Sequence, residues 1–174
     1  MNQTSRRTQL AAVVTAGLAA SIAAASGIAP AQATPVDELT AAKAVSARFH
    51  STAQAHGAGY RPTPECVASP AGTMGVHWEN AALMADPEVD PLRPEILLYA
   101  PGPDGGPELV AVEYWRAASD SPVAPALFGH RFDGPMPGHH PAMPVHYDLH
   151  VWVWADNPSG TFTPFNPTIS CEES

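Results

Sequence analysis

The sequence predicts an α+β fold: an N-terminal helix packed on a mostly antiparallel, curved sheet, in a single domain with long Pro/Gly-rich loops. Three observations carry this. Apolar residues recur at three- and four-residue spacing only over 36–54. Strict alternation runs through 145–154. The Pro/Gly run PGPDGGP at 101–107 separates two apolar segments, as in a hairpin.

The chain opens with an export-type leader over residues 1–33. Residues 1–10 carry Arg6 and Arg7 and no acid, 11–29 are apolar and Ala/Gly-rich, and Ala31-Gln32-Ala33 is a small-x-small cleavage pattern. A membrane helix is the alternative, but Thr, Ser and Gly punctuate the run. Ser5-Arg6-Arg7-Thr8-Gln9-Leu10 resembles a twin-arginine motif, with Gln9 where Phe is usual, and the general secretory route fits as well. No Cys adjoins the cleavage site, so no lipid anchor is expected there. The expected location is secreted or in the extracytoplasmic envelope. Cleavage leaves residues 34–174 as one domain and removes two arginines, so the net charge moves from −9 to −11. Such acidity excludes a generic nucleic-acid or anionic-membrane binder, both of which need basic patches, and leaves cation binding open.

The helix follows. Pro35 suits its first position, Asp37 and Glu38 suit the positive end of its dipole, and Gly57 and Gly59 end it. Val36, Leu39, Ala42, Val45 and Phe49 form its apolar stripe. Strands are expected at 73–78, 95–100, 108–115 and 145–154, with 130–144 a loop feeding the last. In 108–115, alternation places Val110, Val112 and Tyr114 on one face and Ala111, Glu113 and Trp115 on the other. In 145–154 it places Tyr147, Leu149, Val151 and Val153 against His146, Asp148, His150, Trp152 and Trp154. The 20 Pro would suggest disorder. The four Trp and the apolar runs argue for ordered loops instead. Cys66 and Cys171 are the only cysteines, which in an exported chain reads as one disulfide closing a long loop. A nucleophilic or metal-binding Cys is the alternative.

The most specific chemical feature is His146-Tyr147-Asp148-Leu149-His150, three ligand-type side chains on one strand face. Residues two apart on a strand are roughly 6.6–6.8 Å apart and can share an ion, whereas His146 and His150 are roughly 13 Å apart and cannot do so easily. A metal site would therefore take a His–Asp pair from this strand and add His77 and Glu113 from neighbouring strands, with His139 or His140 closing it from the loop. Imidazole with carboxylate suits Zn, Cu or Fe, and Asp148 could instead orient a ligating His from outside the shell. The competing reading is a structural network of hydrogen bonds across a polar sheet face. Trp78, Trp152 and Trp154 could also line a cleft for a small ligand or glycan, although aromatic residues on strands are more often core. A third possibility is a disulfide-stapled structural or interaction domain. No G-x-S-x-G, H-E-x-x-H, phosphate loop or dinucleotide fingerprint occurs, so no enzyme class is indicated.

The chain also resembles a family of exported bacterial proteins through a series of motifs: Met74-Gly75-Val76-His77-Trp78, Arg93-Pro94-Glu95-Ile96-Leu97-Leu98-Tyr99, Leu109-Val110-Ala111-Val112-Glu113-Tyr114, Gly134-Pro135-Met136-Pro137-Gly138-His139, Met143-Pro144-Val145-His146-Tyr147-Asp148-Leu149-His150-Val151-Trp152, Asn157-Pro158-Ser159-Gly160 and Asn166-Pro167. Ala81 stands where the family pattern has Pro. The resemblance implies export and a compact domain, and it carries no mechanism.

Overall fold

The computed structural model describes residues 33–171. The leader expected at 1–33 therefore lies almost wholly outside the described residues. Thr34 caps the first helix, α1 (Pro35–Ser46), through a reciprocal box: its hydroxyl accepts from the Asp37 N–H and the Asp37 carboxylate accepts from the Thr34 N–H. The helix does not continue to residue 54. Ser46 turns its hydroxyl back onto the carbonyls of Ala42 and Lys43, and a single 3₁₀ turn (Ala47–His50) follows. Ser51 then caps a second short helix, α2 (Thr52–Gly57). Serine side chains competing for backbone partners explain the break. Ala42, Phe49 and Ala55 are buried, while Val36 is 71% exposed, so the apolar stripe starts one turn later than its sequence suggests.

Six strands form one sheet in the order β1-β2-β3-β4-β8-β7, every pairing antiparallel, and the sheet curls into a half-barrel. They are β1 (Arg61–Ser69), β2 (Gly72–Glu79), β3 (Ile96–Pro101), β4 (Pro107–Ala117), β7 (Asp133–Met136) and β8 (His146–Val151). A short helix, α3 (Ala81–Met84), follows β2, and a small ribbon, β5 (Ala126–Leu127) with β6 (His130–Arg131), lies between β4 and β7. Ala81 opens α3 behind the Asn80 cap, a first-turn position that Pro also tolerates. The strands expected at 73–78, 95–100 and 108–115 form. The loop expected at 130–144 contains β6 and β7, and β1, which carries Pro62 and Pro64, is not among the expected strands. Proline is tolerated there because β1 is an edge strand, with a free side on which no N–H is needed.

The two sheet faces bury different things. Leu97, Tyr99, Val112, Tyr114, Tyr147, Leu149 and Val151 pack with Ala42, Phe49 and Ala55 of the helical segment. On the other face Ile96, Leu98, Ala111 and Trp115 pack with Met143 and Trp152. Val110 joins this second group instead of Val112 and Tyr114, because a bulge between Leu98 and Tyr99 shifts the register: Leu98 pairs with Ala111 and Tyr99 with Leu109. The last strand stops at Val151, short of 154, because Val153 donates to the Val151 carbonyl in a three-residue turn and Trp154 donates to Val110. That turn rotates Trp154 to the helical face, where its indole donates to Ser46 and its ring lies beneath Lys43. Cys66 on β1 and Cys171 form a disulfide spanning 105 residues, as expected. No helix among the described residues is long and apolar enough to cross a membrane.

Candidate metal centre

The second sheet face carries the polar cluster. Alternation on β4 and β8 aims Glu113, His146, Asp148 and His150 at this face, and β2 aims His77. Glu113 sits directly opposite His150 in the β4–β8 ladder. His77 lies two strands across from Glu113 and two residues out of register with it, since His77 pairs with Leu98 and Glu113 with Ile96, roughly 12 Å away by strand spacing and rise. Two long side chains on a curled sheet close that gap, leaving His77 Nε2 3.2 Å from Glu113 Oε2. His139 arrives from the segment between β7 and β8.

The six side chains form two groups of like composition. His77, Glu113 and His150 make one, and His139, His146 and Asp148 the other; within each group one donor atom per residue lies within 4.8 Å of the others. In the first, His150 Nε2 is 3.6 Å from Glu113 Oε2. In the second, Asp148 Oδ2 is 3.4 Å from His146 Nε2 and 3.6 Å from His139 Nε2. The groups touch: the other nitrogen of His150, Nδ1, is 3.8 Å from Asp148 Oδ1, and the His77 and His139 rings are 5.5 Å apart between centroids. His77, Glu113, His146, Asp148 and His150 are all buried, and His139 alone is partly exposed.

None of these close approaches is a hydrogen bond: the contacts at 3.2 and 3.4 Å are misaligned, and those at 3.6 and 3.8 Å are too long. Twelve buried side-chain nitrogen and oxygen atoms lack a hydrogen-bond partner among the described residues, and ten belong to these six side chains. An unpaired buried polar group costs about 1–3 kcal/mol, and more if charged. His146 shows the problem most sharply. Its Nδ1 lies 3.0 Å from the Pro144 carbonyl and must donate to it, which leaves the Nε2 lone pair facing the Asp148 carboxylate. Two lone pairs at that distance repel unless a proton or a metal ion lies between them.

The neighbouring imidazoles favour the charged form of both carboxylates. Burial raises the Glu113 carboxyl, but the facing His150 and His77 imidazoles outweigh it and hold the group below the usual carboxylate range. Asp148 is held well below its ordinary value by His139 and His146 against the same opposing burial. The Asp148 carboxylate in turn raises His139. Asp133 on β7 stands opposite Asp148, and burial and then the Asp148 charge push its carboxyl up. Like charges placed opposite on neighbouring strands are unfavourable without a neutralising partner.

The segment bearing His139 is held in place. His140 Nε2 pairs with Glu79 at 2.9 Å, Ala142 donates to His140 Nδ1, and Met143 donates to the His140 carbonyl. Beside it lies a cavity of about 20 Å³, room for about one water-sized molecule, lined by Thr63, Glu65, His77, Glu79, His139 and Met143 among others. It contains one histidine from each group. Sequence reasoning named all six residues but placed them in one site, and it assigned no role to Glu79 or Asp133.

The tryptophans do not share a cleft. Trp78 packs against Tyr99 on the helical face, Trp154 lies against α1 on that face, and Trp152 is buried on the opposite one, its indole donating to the Thr163 carbonyl. Each lines a different surface depression. Both cysteines are consumed by the disulfide, so neither is a ligand or nucleophile. Compared with protein-family models, curated proteins and solved structures, the chain matches none.

Proposed function

We propose that this protein is an exported metal-binding domain whose buried His/carboxylate cluster holds a divalent transition metal. The observation that carries this is a set of six buried or half-buried side chains that hold ten unpaired buried polar atoms and bring one ligand atom each to within 4.8 Å of its neighbours in two groups of three. Two atoms bound at 2.0–2.2 Å to one ion sit about 3.0–3.6 Å apart in octahedral or tetrahedral geometry. The pairs at 3.2, 3.4 and 3.6 Å match that edge length and fail as hydrogen bonds. Imidazole and carboxylate without thiolate select Zn, Cu or Fe over Ca or Mg. The His146–Pro144 contact fixes the ring and leaves Nε2 free to ligate, as outer-shell partners of metal-bound histidines do. The leader, the disulfide and the family resemblance together support export.

The test is metal analysis of protein made without a His tag, followed by thermal unfolding with added Zn or Cu. Metal at 100 times Kd should stabilise the fold by about 2.7 kcal/mol. With an unfolding entropy of about 2.1 cal/mol/K per residue, this is a rise of roughly 9 °C in Tm for a domain of this size. No stoichiometric ion and no rise in Tm would refute the proposal.

A further inference from the structure

We infer that the cluster is a two-metal centre, one ion in each group, joined through Asp148 and His150. The inference rests on the metal-binding reading and goes beyond it by assigning a second cation site. Three observations point to two ions. The six donors divide into two sets of identical composition, each two imidazoles and one carboxylate, and each set is compact by itself. His146 and His150 project from one strand at positions too far apart to meet on one ion, by the roughly 13 Å that strand geometry gives for residues four apart. Each therefore turns to its own carboxylate: His146 to Asp148 and His150 to Glu113.

The third observation is the link. His150 has a carboxylate at each nitrogen, Glu113 beside Nε2 and Asp148 beside Nδ1. With Nε2 on the first ion, Nδ1 would be left beside Asp148 Oδ1, 3.8 Å away, while Asp148 would ligate the second ion through Oδ2. A carboxylate that backs a ligating histidine is a common outer-shell device. Here the same carboxylate is also a ligand of the neighbouring ion. The charge balance is consistent with this. Glu113 and Asp148 face the ions, Asp133 stands opposite Asp148, and Glu79 and Glu65 line the cavity that adjoins both groups, with no Lys or Arg lining it. Two imidazoles and one carboxylate leave open coordination positions on each ion, as in catalytic zinc and non-haem iron sites. Because His77 and His139 line one cavity, a water-sized ligand held there would lie beside a histidine of each group.

The experiment loads untagged protein with Zn(II) or Cu(II) and counts bound ions per chain by native mass spectrometry. The wild type should carry two. His77→Gln and His146→Gln should each carry one, and the double variant none. The copper-loaded wild type should give the half-field electron paramagnetic resonance signal of a coupled Cu(II) pair. That measurement keeps the inference testable even if a variant fails to fold. One ion per chain, or two that show only isolated Cu(II) spectra, overturns the two-metal centre while leaving the metal-binding function standing. No bound ion overturns both.

Discussion

The position of His139 depends on a glycine that touches no donor atom. A Cβ at Gly138 would lie 2.1 Å from the Met143 carbonyl oxygen and 2.6 Å from the Met143 side chain. The oxygen belongs to a turn pinned by the Met143–His140 backbone bond and the His140–Glu79 pair, so it cannot rotate away as a side chain could. Ordinary contact begins at 3.4 Å, so Gly138→Ala must part the two backbones by 1.3 Å. The next residue is His139. Ligand distances in a working metal site hold to within about 0.2 Å, so a shift of that size would remove His139 from the proposed coordination shell. Disturbing an outer-shell partner alone costs about 10–100-fold in affinity, and displacing a ligand should cost at least as much. Overpacking should add a destabilisation of about 1–3 kcal/mol. The assay is calorimetric titration of Zn(II) into metal-free protein, with circular dichroism to confirm folding. Gly57→Ala is the control, since nothing lies within 4 Å of its added methyl. A folded Gly138→Ala protein that binds Zn(II) as tightly as the wild type would refute the argument that this turn positions a ligand.

Other consequences can be measured separately. Reducing the disulfide, or replacing Cys66 with Ser, opens a 105-residue loop and should lower stability by about 4–5 kcal/mol in urea denaturation; a loss under about 1 kcal/mol would show that the unfolded chain gains little freedom. Glu95 is buried beneath the Trp115 N–H, and burial raises its carboxyl from 4.5 to about 8. The folded state thus prefers the neutral acid, and stability should fall by a few kcal/mol, roughly, as pH rises from about 4.5 to about 8. Glu95→Gln should remove that slope while keeping an acceptor for Trp115, and an unchanged pH profile would show that Glu95 is ionised in the fold. Trp154→Phe loses the indole bond to Ser46 and should cost about 1–2 kcal/mol while leaving Zn(II) affinity unchanged; an affinity change would link the helical face to the metal face.

The sequence made β8 legible because its alternation is unbroken from His146 to Val151, and period 2 directly assigns faces. Where the structure departs from the pattern, a local backbone event intervenes. Val110 changes face at a bulge, Trp154 at a three-residue turn, and the first helix breaks where Ser46 and Ser51 compete for backbone groups. None of these leaves a periodic signal. The edge strand β1 was hidden for a different reason. Pro62 and Pro64 argue against a strand unless one side is known to be unpaired, and that depends on the order of strands in the sheet, a tertiary fact.

The same distinction explains why six donors were found but not their grouping. The chain can say that His146 and His150 face one way and are too far apart for one ion. It cannot say which partner each finds, because that depends on register between strands distant in sequence. The pairing of Glu113 with His150 comes from the β4–β8 ladder, and the approach of His77 across β3 comes from the curl of the sheet. Once those are set, the position of Asp148 follows from its sequence. It lies midway between two histidines that face the same way, and one of its oxygens is directed to each. A His-x-Asp-x-His strand laid beside a Glu-bearing strand therefore places a shared carboxylate between two imidazoles that each lead to a different group. The spacing that argued against one metal on this strand is the feature that permits two.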